Sequence, residues 1–534
     1  MRPSAASEPG RRKAGAVLTV PTVSASESET LELVVAQCER FVRRSVDSAR
    51  IDSDGRLSPS LISAAAEVGL FGLSLPEEYG GLALSMKATG HVVQTLARAD
   101  RSVAIMVGLH AGLGTRPLVR YGSESLRLQW LGPMARGEVV ASFAATEPGA
   151  GSDLSSIRTT LRREGTALQL DGEKSYVTNG GFAGAFTVLA RSPGIGGARA
   201  HSMVLVPGDA PGVVRGPEEH KLGIRGSSTV GVHFDRASVS AENILGEPGR
   251  GMDQAHAVLA WGRTLMSYGC VGAAQAALGA TLAHVTTRRQ FGRSIGDFGA
   301  TRMHTARMAA TVFAMESLVR HVADLDARTV GIDDASVIAK VYCSEGAFDV
   351  CDQAIQLHGA LGFIEDTGVA RMMRDARVTR IFEGANDVLL VRLGVALVAT
   401  RRDSLRVFPA SESREFGRVQ GSIDALERRV SDALESARVT HGVRAVHQQV
   451  LLQRLARAAI ALRVAEVAVC RAIAERGSDE QRLGVHAAEQ AVEVGETWLD
   501  RVAHAASDEA SADTVAQRLY ARHGTPQRGA TPEA

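Results

Sequence analysis

The spacing of apolar residues changes twice along this chain, and each change marks a boundary. From about Thr30 to Arg136 apolar side chains recur every three or four residues, as in Leu31, Val34, Val35 and Phe41 and again in Leu61, Ile62, Ala65 and Val68. That interval predicts helices with one buried face. Ser58-Pro59 supplies a capping hydroxyl followed by proline at the first helical position, and Leu75-Pro-Glu-Glu-Tyr-Gly-Gly81 breaks the pattern with turn formers. Between Glu138 and about Leu245 the period shortens toward two, with β-branched residues and turn sequences at Glu164-Gly165, Asp171-Gly172 and Asn179-Gly180-Gly181, which predicts a β domain. Helical periods return after Gly251 in runs near 252–289, 300–328, 333–361 and 385–399, and four long neighbouring helices predict a bundle. The polar stretch 401–420, with Pro409, reads as a linker, and about three further amphipathic helices end near Tyr520.

The expected architecture is α+β and mostly α. Its order is disordered leader 1–29, N-terminal helical domain 30–137, β domain 138–245, four-helix bundle 246–400, linker 401–420, extra helical domain 421–520 and frayed tail 521–534. At 534 residues and 45% apolar, the chain can bury several packed units.

Charge narrows the classes of partner. Lys and Arg total 60 against 59 for Asp and Glu, so no chain-wide field draws the protein to nucleic acid or to an anionic membrane. The five cysteines are scattered without a C-x-x-C pair, which predicts a reducing compartment. Residues 1–29 mix Arg11, Arg12 and Lys13 with Ser, Pro and glutamates and hold no apolar core like that of a secretory signal; they read as a disordered leader rather than a transit peptide. The longest candidate membrane stretch, Val388 to Ala399, contains Arg392 and falls short of the roughly 20 residues a spanning helix needs. The expectation is a soluble protein of a bacterial-type cytoplasm, or of the mitochondrial matrix in a eukaryote.

Chemistry gathers where the β domain opens, at Ala141-Ser-Phe-Ala-Ala-Thr-Glu-Pro-Gly-Ala-Gly-Ser-Asp153. A dinucleotide fingerprint would need a third glycine at position 154, which is leucine, and a helix rather than strands afterwards. Taken alone, such a Gly/Ser turn is more often only a turn.

Thr146-Glu-Pro-Gly-Ala-Gly-Ser-Asp153 resembles the flavin-side signature of the acyl-CoA dehydrogenase family. Five further segments agree in order: Leu75-Pro-Glu-Glu-Tyr-Gly-Gly81, Tyr176-Val-Thr-Asn-Gly180, Arg288-Arg-Gln-Phe-Gly292, Gln356-Leu-His-Gly-Ala-Leu-Gly362 and Arg374-Asp-Ala-Arg-Val-Thr-Arg-Ile-Phe-Glu-Gly384. Together they cover about residues 30–400.

The resemblance implies a role for each matching residue. Glu383 matches the catalytic base, which must lift a proton from the carbon beside a thioester carbonyl and gains basicity from desolvation. Without the motif, a glutamate before a helix would read as an exposed N-terminal acid. Some relatives carry the base on the long helix before an arginine matching Arg263; that position is Gly262 here. Phe143, Thr146, Ser152, Tyr176, Thr178 and Asn386 match positions around FAD, with Tyr176 standing where Trp is common. Arg288 and Gln290 match positions that reach a neighbouring subunit's FAD pyrophosphate, and Gln356, Gly359 and Ala360 match a backbone cradle for the same cofactor. Ser152 and Arg263 match CoA contacts, and Gly384 lies where the thioester would sit. Ala260 replaces an acid that many relatives carry three residues before the arginine.

The implied activity is FAD-dependent α,β-dehydrogenation of a fatty acyl-CoA to the trans-2-enoyl-CoA in β-oxidation. The implied partners are the acyl-CoA, electron-transfer flavoprotein and a second copy of the chain. Phe298-Gly299, Ile381-Phe-Glu-Gly-Ala-Asn-Asp387 and Val450-Leu-Leu-Gln-Arg-Leu455 resemble the very-long-chain subfamily with its C-terminal helical domain. The helix around Val103 to Gly114 is expected to line the far end of the acyl pocket, with Gly108 and Gly112 on one face and no long polar plug. The competing readings are an acyl-CoA oxidase using oxygen and a non-catalytic assembly-factor paralogue.

Overall fold

A computed structural model describes residues 25–164, 167–197, 200–400, 414–475 and 477–523. The turn at Glu164-Gly165, most of the predicted leader, the first part of the predicted linker with Pro409, and the residues after 523 lie outside these ranges.

The N-terminal region folds as α1 (Ala25–Ser45), α2 (Ser48–Asp54), α3 (Pro59–Glu67), α4 (Met86–Ala99), α5 (Arg101–Leu109), α6 (Arg116–Tyr121) and α7 (Glu124–Ala135). The first helix thus begins inside the predicted leader. Ser58 Oγ accepts from Leu61 N at 3.2 Å with Pro59 in the first turn, as the sequence predicts. Asp100 caps α5 in the same way, through Val103 N at 3.0 Å. A π-helical turn, His110–Gly114, joins α5 toward α6 and sets Gly114 so close to the first strand that a Cβ would lie 2.8 Å from the Ala141 carbonyl oxygen. The stretch Arg101–Tyr121, not 388–399, is the one with the length and apolarity of a membrane span among the described residues. It is 72% buried inside the protein, as a core helix is.

The β domain holds β1 (Ala141–Ala144), β2 (Thr160–Glu164), β3 (Ala167–Thr178), β4 (Ala185–Arg191), β5 (His201–Pro207), β6 (Val213–Glu218), β7 (Thr229–Val239) and β8 (Ile244–Leu245). They form one mixed sheet in the order β6-β7-β3-β2-β4-β5-β8, with β1 added parallel to β4. The β3–β7 register shifts between Lys174 and Val177, and this irregularity places Tyr176 at φ +55°.

The bundle contains α8 (Gly251–Thr287), a short hairpin of β9 (Arg289–Gln290) and β10 (Arg293–Ser294), α9 (Gly299–Ala327), α10 (Asp333–His358), α11 (Ala360–Phe363), α12 (Val369–Arg377) and α13 (Asn386–Ala399). Among the described residues four C-terminal helices follow, rather than about three: α14 (Arg414–His441), α15 (Gln449–Ala474), α16 (Ser478–Val502) and α17 (Ala505–His523). The first starts within the predicted linker. A single core containing Trp261, Phe313, Leu393, Phe416, Ile460 and Val485 joins α14, α15 and α16 to the bundle. At Gly394 a Cβ would lie 2.5 Å from the Leu452 carbonyl oxygen, so α13 and α15 meet backbone to backbone.

Candidate active site

A cavity of about 980 Å³ runs between the sheet, α5, α8 and the loop before α13. Phe143, Thr146, Ser152, Tyr176, Thr178, Arg263, Glu383 and Gly384 all line it, although the chain separates the first from the last by most of two domains.

Glu383 follows a 3₁₀ turn at Val378–Arg380 and takes φ +54°, a left-handed conformation rare for a residue with a side chain. Gly384 continues the turn at φ +103° before α13 begins. The residue as a whole is half-buried, yet Oε2 is closed to solvent and has no hydrogen-bond partner. Desolvation lifts the carboxyl from its ordinary 4.5 to about 7, against the opposing pull of Arg263 and Lys340. A Cβ at Gly262 would sit 3.4 Å from this oxygen and 2.4 Å from Leu113 Cδ2, so the glycine makes room for both.

Two buried cations hold the loop by its carbonyls. Arg263, 4% exposed, donates from Nε to the Glu383 carbonyl at 3.0 Å, and burial lowers its pKa to about 10. Lys340 donates to the Gly384 carbonyl at 2.7 Å and to Asn386 Oδ1 at 2.6 Å, with its pKa lowered to about 8, again chiefly by burial. Asn386 completes its amide with Ser344 Oγ at 3.0 Å and Glu345 Oε1 at 3.3 Å. It is buried beneath the loop and absent from the cavity lining, and its amide is taken up by these neighbours. Glu345 in turn receives Arg457 of α15 at 2.9 and 3.3 Å, which ties the C-terminal helices to the loop. Gln453 of α15 adds a bond to the Asp387 carbonyl at 3.2 Å.

The opposite wall comes from the sheet. Ser142 Oγ donates to the Thr178 carbonyl at 2.5 Å, and Lys174, wholly buried, donates to Glu147 at 2.7 Å and to the Ala145 carbonyl at 3.0 Å. Glu147 also accepts from Arg158 N and Thr159 N, so the Thr146–Asp153 loop is pinned from below. Above it Tyr176 is 65% exposed within a concavity, flanked by Thr146 and Thr178. An uncovered aromatic between hydroxyls on a concave wall fits a planar ring system with polar edges.

Arg288, Gln290, Gln356, Gly359 and Ala360 do not reach this cavity. From Gly262 to the end of α8 the helix rises about 40 Å, and all five residues are exposed at that far end of the bundle. His284 stacks on His358 at 4.3 Å, which holds the two segments side by side. Phe291, 92% exposed, and Phe363 stand beside them in solvent.

Lys340, Glu345 and Arg101 are absent from the sequence-derived set. Lys340 had a signal, a lone cation within the apolar run Val337 to Cys343; Arg101 had one as well, a cation beside the helix expected to line the pocket. That end is not free of polar groups, because Arg101 lines it.

Comparison with known proteins agrees with this geometry. The acyl-CoA dehydrogenase N-terminal, middle and C-terminal domain models match residues 28–138, 142–237 and 249–397. The mitochondrial very long-chain specific acyl-CoA dehydrogenase of Mus musculus is 35% identical over 390 residues, which is 71% of this chain and 59% of that protein. The match thus spans little more than half the length of that relative. The probable acyl-CoA dehydrogenase fadE25 of Mycobacterium tuberculosis is 36% identical over 66% of this chain and 90% of its own length. An acyl-CoA dehydrogenase of Bacillus anthracis, solved in complex with FAD, superposes with a TM-score of 0.78 at 27% identity, covering 91% of this chain and 89% of that one. That coverage takes in the C-terminal helices, which lie beyond the family models. The three domain models in order, together with a relative matched over nine-tenths of its length, establish that this chain belongs to the acyl-CoA dehydrogenase family.

Proposed function

We propose that the protein is an FAD-dependent dehydrogenase that removes hydrogens from the α and β carbons of a fatty acyl-CoA to give the trans-2-enoyl-CoA. The observation that carries this is Glu383: a desolvated carboxylate with a free oxygen, a raised pKa and no competing acid at Gly262. Such a group can take an α proton near neutral pH, while the lined cavity excludes water from the exchange. The wall of Phe143, Thr146, Ser152, Tyr176 and Thr178 would hold the flavin, which when bound supplies the acceptor for the hydride leaving the β carbon. Arg263 and Lys340 fix the two carbonyls of the base loop, and their positive charge favours the ionised base. The Glu383 N–H, which donates to no backbone carbonyl among the described residues, is free to meet the thioester oxygen as charge develops there.

The cavity branches along α8. Toward Met252 it is polar and basic, with His256, Arg392 and Ser152, which suits the CoA phosphates and amides. Toward Met266 it is apolar, which suits the acyl chain. Exposure of Arg288, Gln290, Gln356, Gly359 and Ala360 beside Phe291 and Phe363 supports a homodimer in which they complete the cofactor site of the second copy. Electron-transfer flavoprotein, a long-chain preference, a place in β-oxidation and a soluble cytoplasmic or matrix location complete the reading. Anaerobic titration tests it: a saturated acyl-CoA should bleach the bound flavin, electron-transfer flavoprotein should restore the colour faster than air, and the protein should sediment as a dimer. Failure of every acyl-CoA to bleach it would remove the dehydrogenase reading.

A further inference from the structure

Arg101 opens α5, is 5% exposed, and lines the same cavity as Glu383. Its guanidinium is poorly satisfied for a buried cation. Nη1 donates to the Gly269 carbonyl at 2.6 Å; Nη2 meets only the Cys270 sulfur at 3.9 Å; Nε is buried with no partner. Five N–H donors in a fixed fork therefore have one good acceptor among the described residues. Asp375 lies within electrostatic range and helps balance the charge, but the hydrogen bond it shows is accepted from Ile224 N. Such donors, shut away from water, call for an acceptor.

The position gives that acceptor an identity. Gly269 stands two helical turns beyond Gly262, about 10 Å along α8 from the residue beside the Glu383 carboxylate. Ala104, Ile105, Leu265 and Met266 wall the cavity between these points. At the far end Gly108 and Gly269 both face Val93, at 3.5 and 3.8 Å from their Cβ positions, so no side chain from either closes the space before Arg101. An apolar passage that starts at a base and ends at a cation with unused donors is shaped for an apolar chain with oxygen at its tip.

We propose that Arg101 is a specificity-determining residue and that the enzyme acts on acyl-CoA thioesters carrying an oxygen acceptor at the far end of the chain, a carboxylate or a hydroxyl. This rests on the acyl-CoA dehydrogenase reading above and narrows it. A plain methyl end would leave the guanidinium against hydrocarbon with Nη2 held only by a sulfur, whereas a terminal oxygen accepts from Nη2.

The test compares kcat/KM of the FAD-loaded enzyme for plain, ω-hydroxy and ω-carboxy thioesters of octanoyl, dodecanoyl and hexadecanoyl length. At the best-accommodated length an ω-oxygenated chain should exceed the plain chain by about tenfold or more, and the ratio of carboxylate to hydroxyl identifies the source of the oxygen. Arg101→Met, which keeps the length and removes the donors, should bring the oxygenated-to-plain ratio down to about one. Equal or better use of plain chains by the wild type at every length overturns the proposal, as does a preference that survives Arg101→Met. The wild-type comparison decides by itself if that variant does not fold. Absence of turnover with every thioester would instead remove the dehydrogenase reading, and this proposal with it.

Discussion

The central bundle and the C-terminal helices are both antiparallel helical assemblies, yet they place their charges differently. Inside the bundle, α8 and α10 carry Arg263, Lys340 and Ser344 in the core, and all three serve the loop that presents Glu383. The C-terminal helices keep their charged contacts near the surface instead: Arg457 on Glu345 and Arg471 on Glu316 at 2.8 Å form the seam with the bundle, and Arg454 on Asp508 at 2.7 Å links two of the helices themselves. Glu466 is the exception, buried beside Arg463 with its pKa raised to about 7 by desolvation. Charge inside a core is costly, and here the bundle keeps it around the loop of the proposed base. A seam charge fastens one unit to another at lower cost, because it keeps some contact with water.

The sharpest test of this difference is the base itself. Glu383→Gln should retain flavin but slow its reduction by acyl-CoA about 10²- to 10⁴-fold, measured by anaerobic stopped-flow absorbance; a wild-type rate would place the base elsewhere. Next in size is Lys340→Met, which leaves the Gly384 carbonyl and Asn386 without their cation. Losing a charge-assisted bond of ~1.5–3 kcal/mol should cost about ten- to a hundredfold in kcat if the loop is displaced. Should kcat hold while only the melting temperature falls, Lys340 would belong with the seam charges.

The pH profile comes third. Glu383 must be ionised to accept a proton, so kcat/KM should climb about tenfold per unit toward an apparent pKa near 7 and then level off. Its folded-state pKa is raised above the ordinary 4.5, so the folded protein holds the proton in the window between about 4.5 and 7 and loses stability as pH rises through it. The melting temperature of Glu383→Gln should therefore gain on the wild type across that same window, and a constant difference would contradict the buried carboxyl. The smallest effect is expected at the seam. Arg457→Ala should lower stability by about 1–2 kcal/mol and slow turnover only a few-fold, through Glu345 and Asn386. A loss as large as that of Lys340→Met would show that the C-terminal helices belong to the catalytic machinery.

Much of this was legible in the residue order. Six ordered motifs and the shift from helical to two-residue periodicity outlined the domains, and Glu383, Thr146, Tyr176 and Thr178, which the motifs assign to one site, line one cavity. The edges were less legible. Among the described residues the C-terminal region holds four helices instead of about three, and the first begins inside the predicted linker, where polar residues such as Arg414 and Glu415 are as compatible with an exposed helical turn as with coil. Asn386 matched a cofactor position by motif, but its neighbours on α10 claim its amide.

By itself the sequence determined what is local: which segments bury one face, where caps and turns fall, and which residues form the family's motifs. Only the tertiary structure decided which charges meet. Arg263 and the Glu383 carbonyl are 120 residues apart, Arg457 and Glu345 are 112 apart, and Arg101 and the Gly269 carbonyl are 168 apart. Periodicity reports the face a side chain occupies but not the partner across from it. The pKa of Glu383, the unused donors of Arg101 and the seam to the C-terminal helices arise from burial beside particular neighbours, and that burial exists only once the helices have packed.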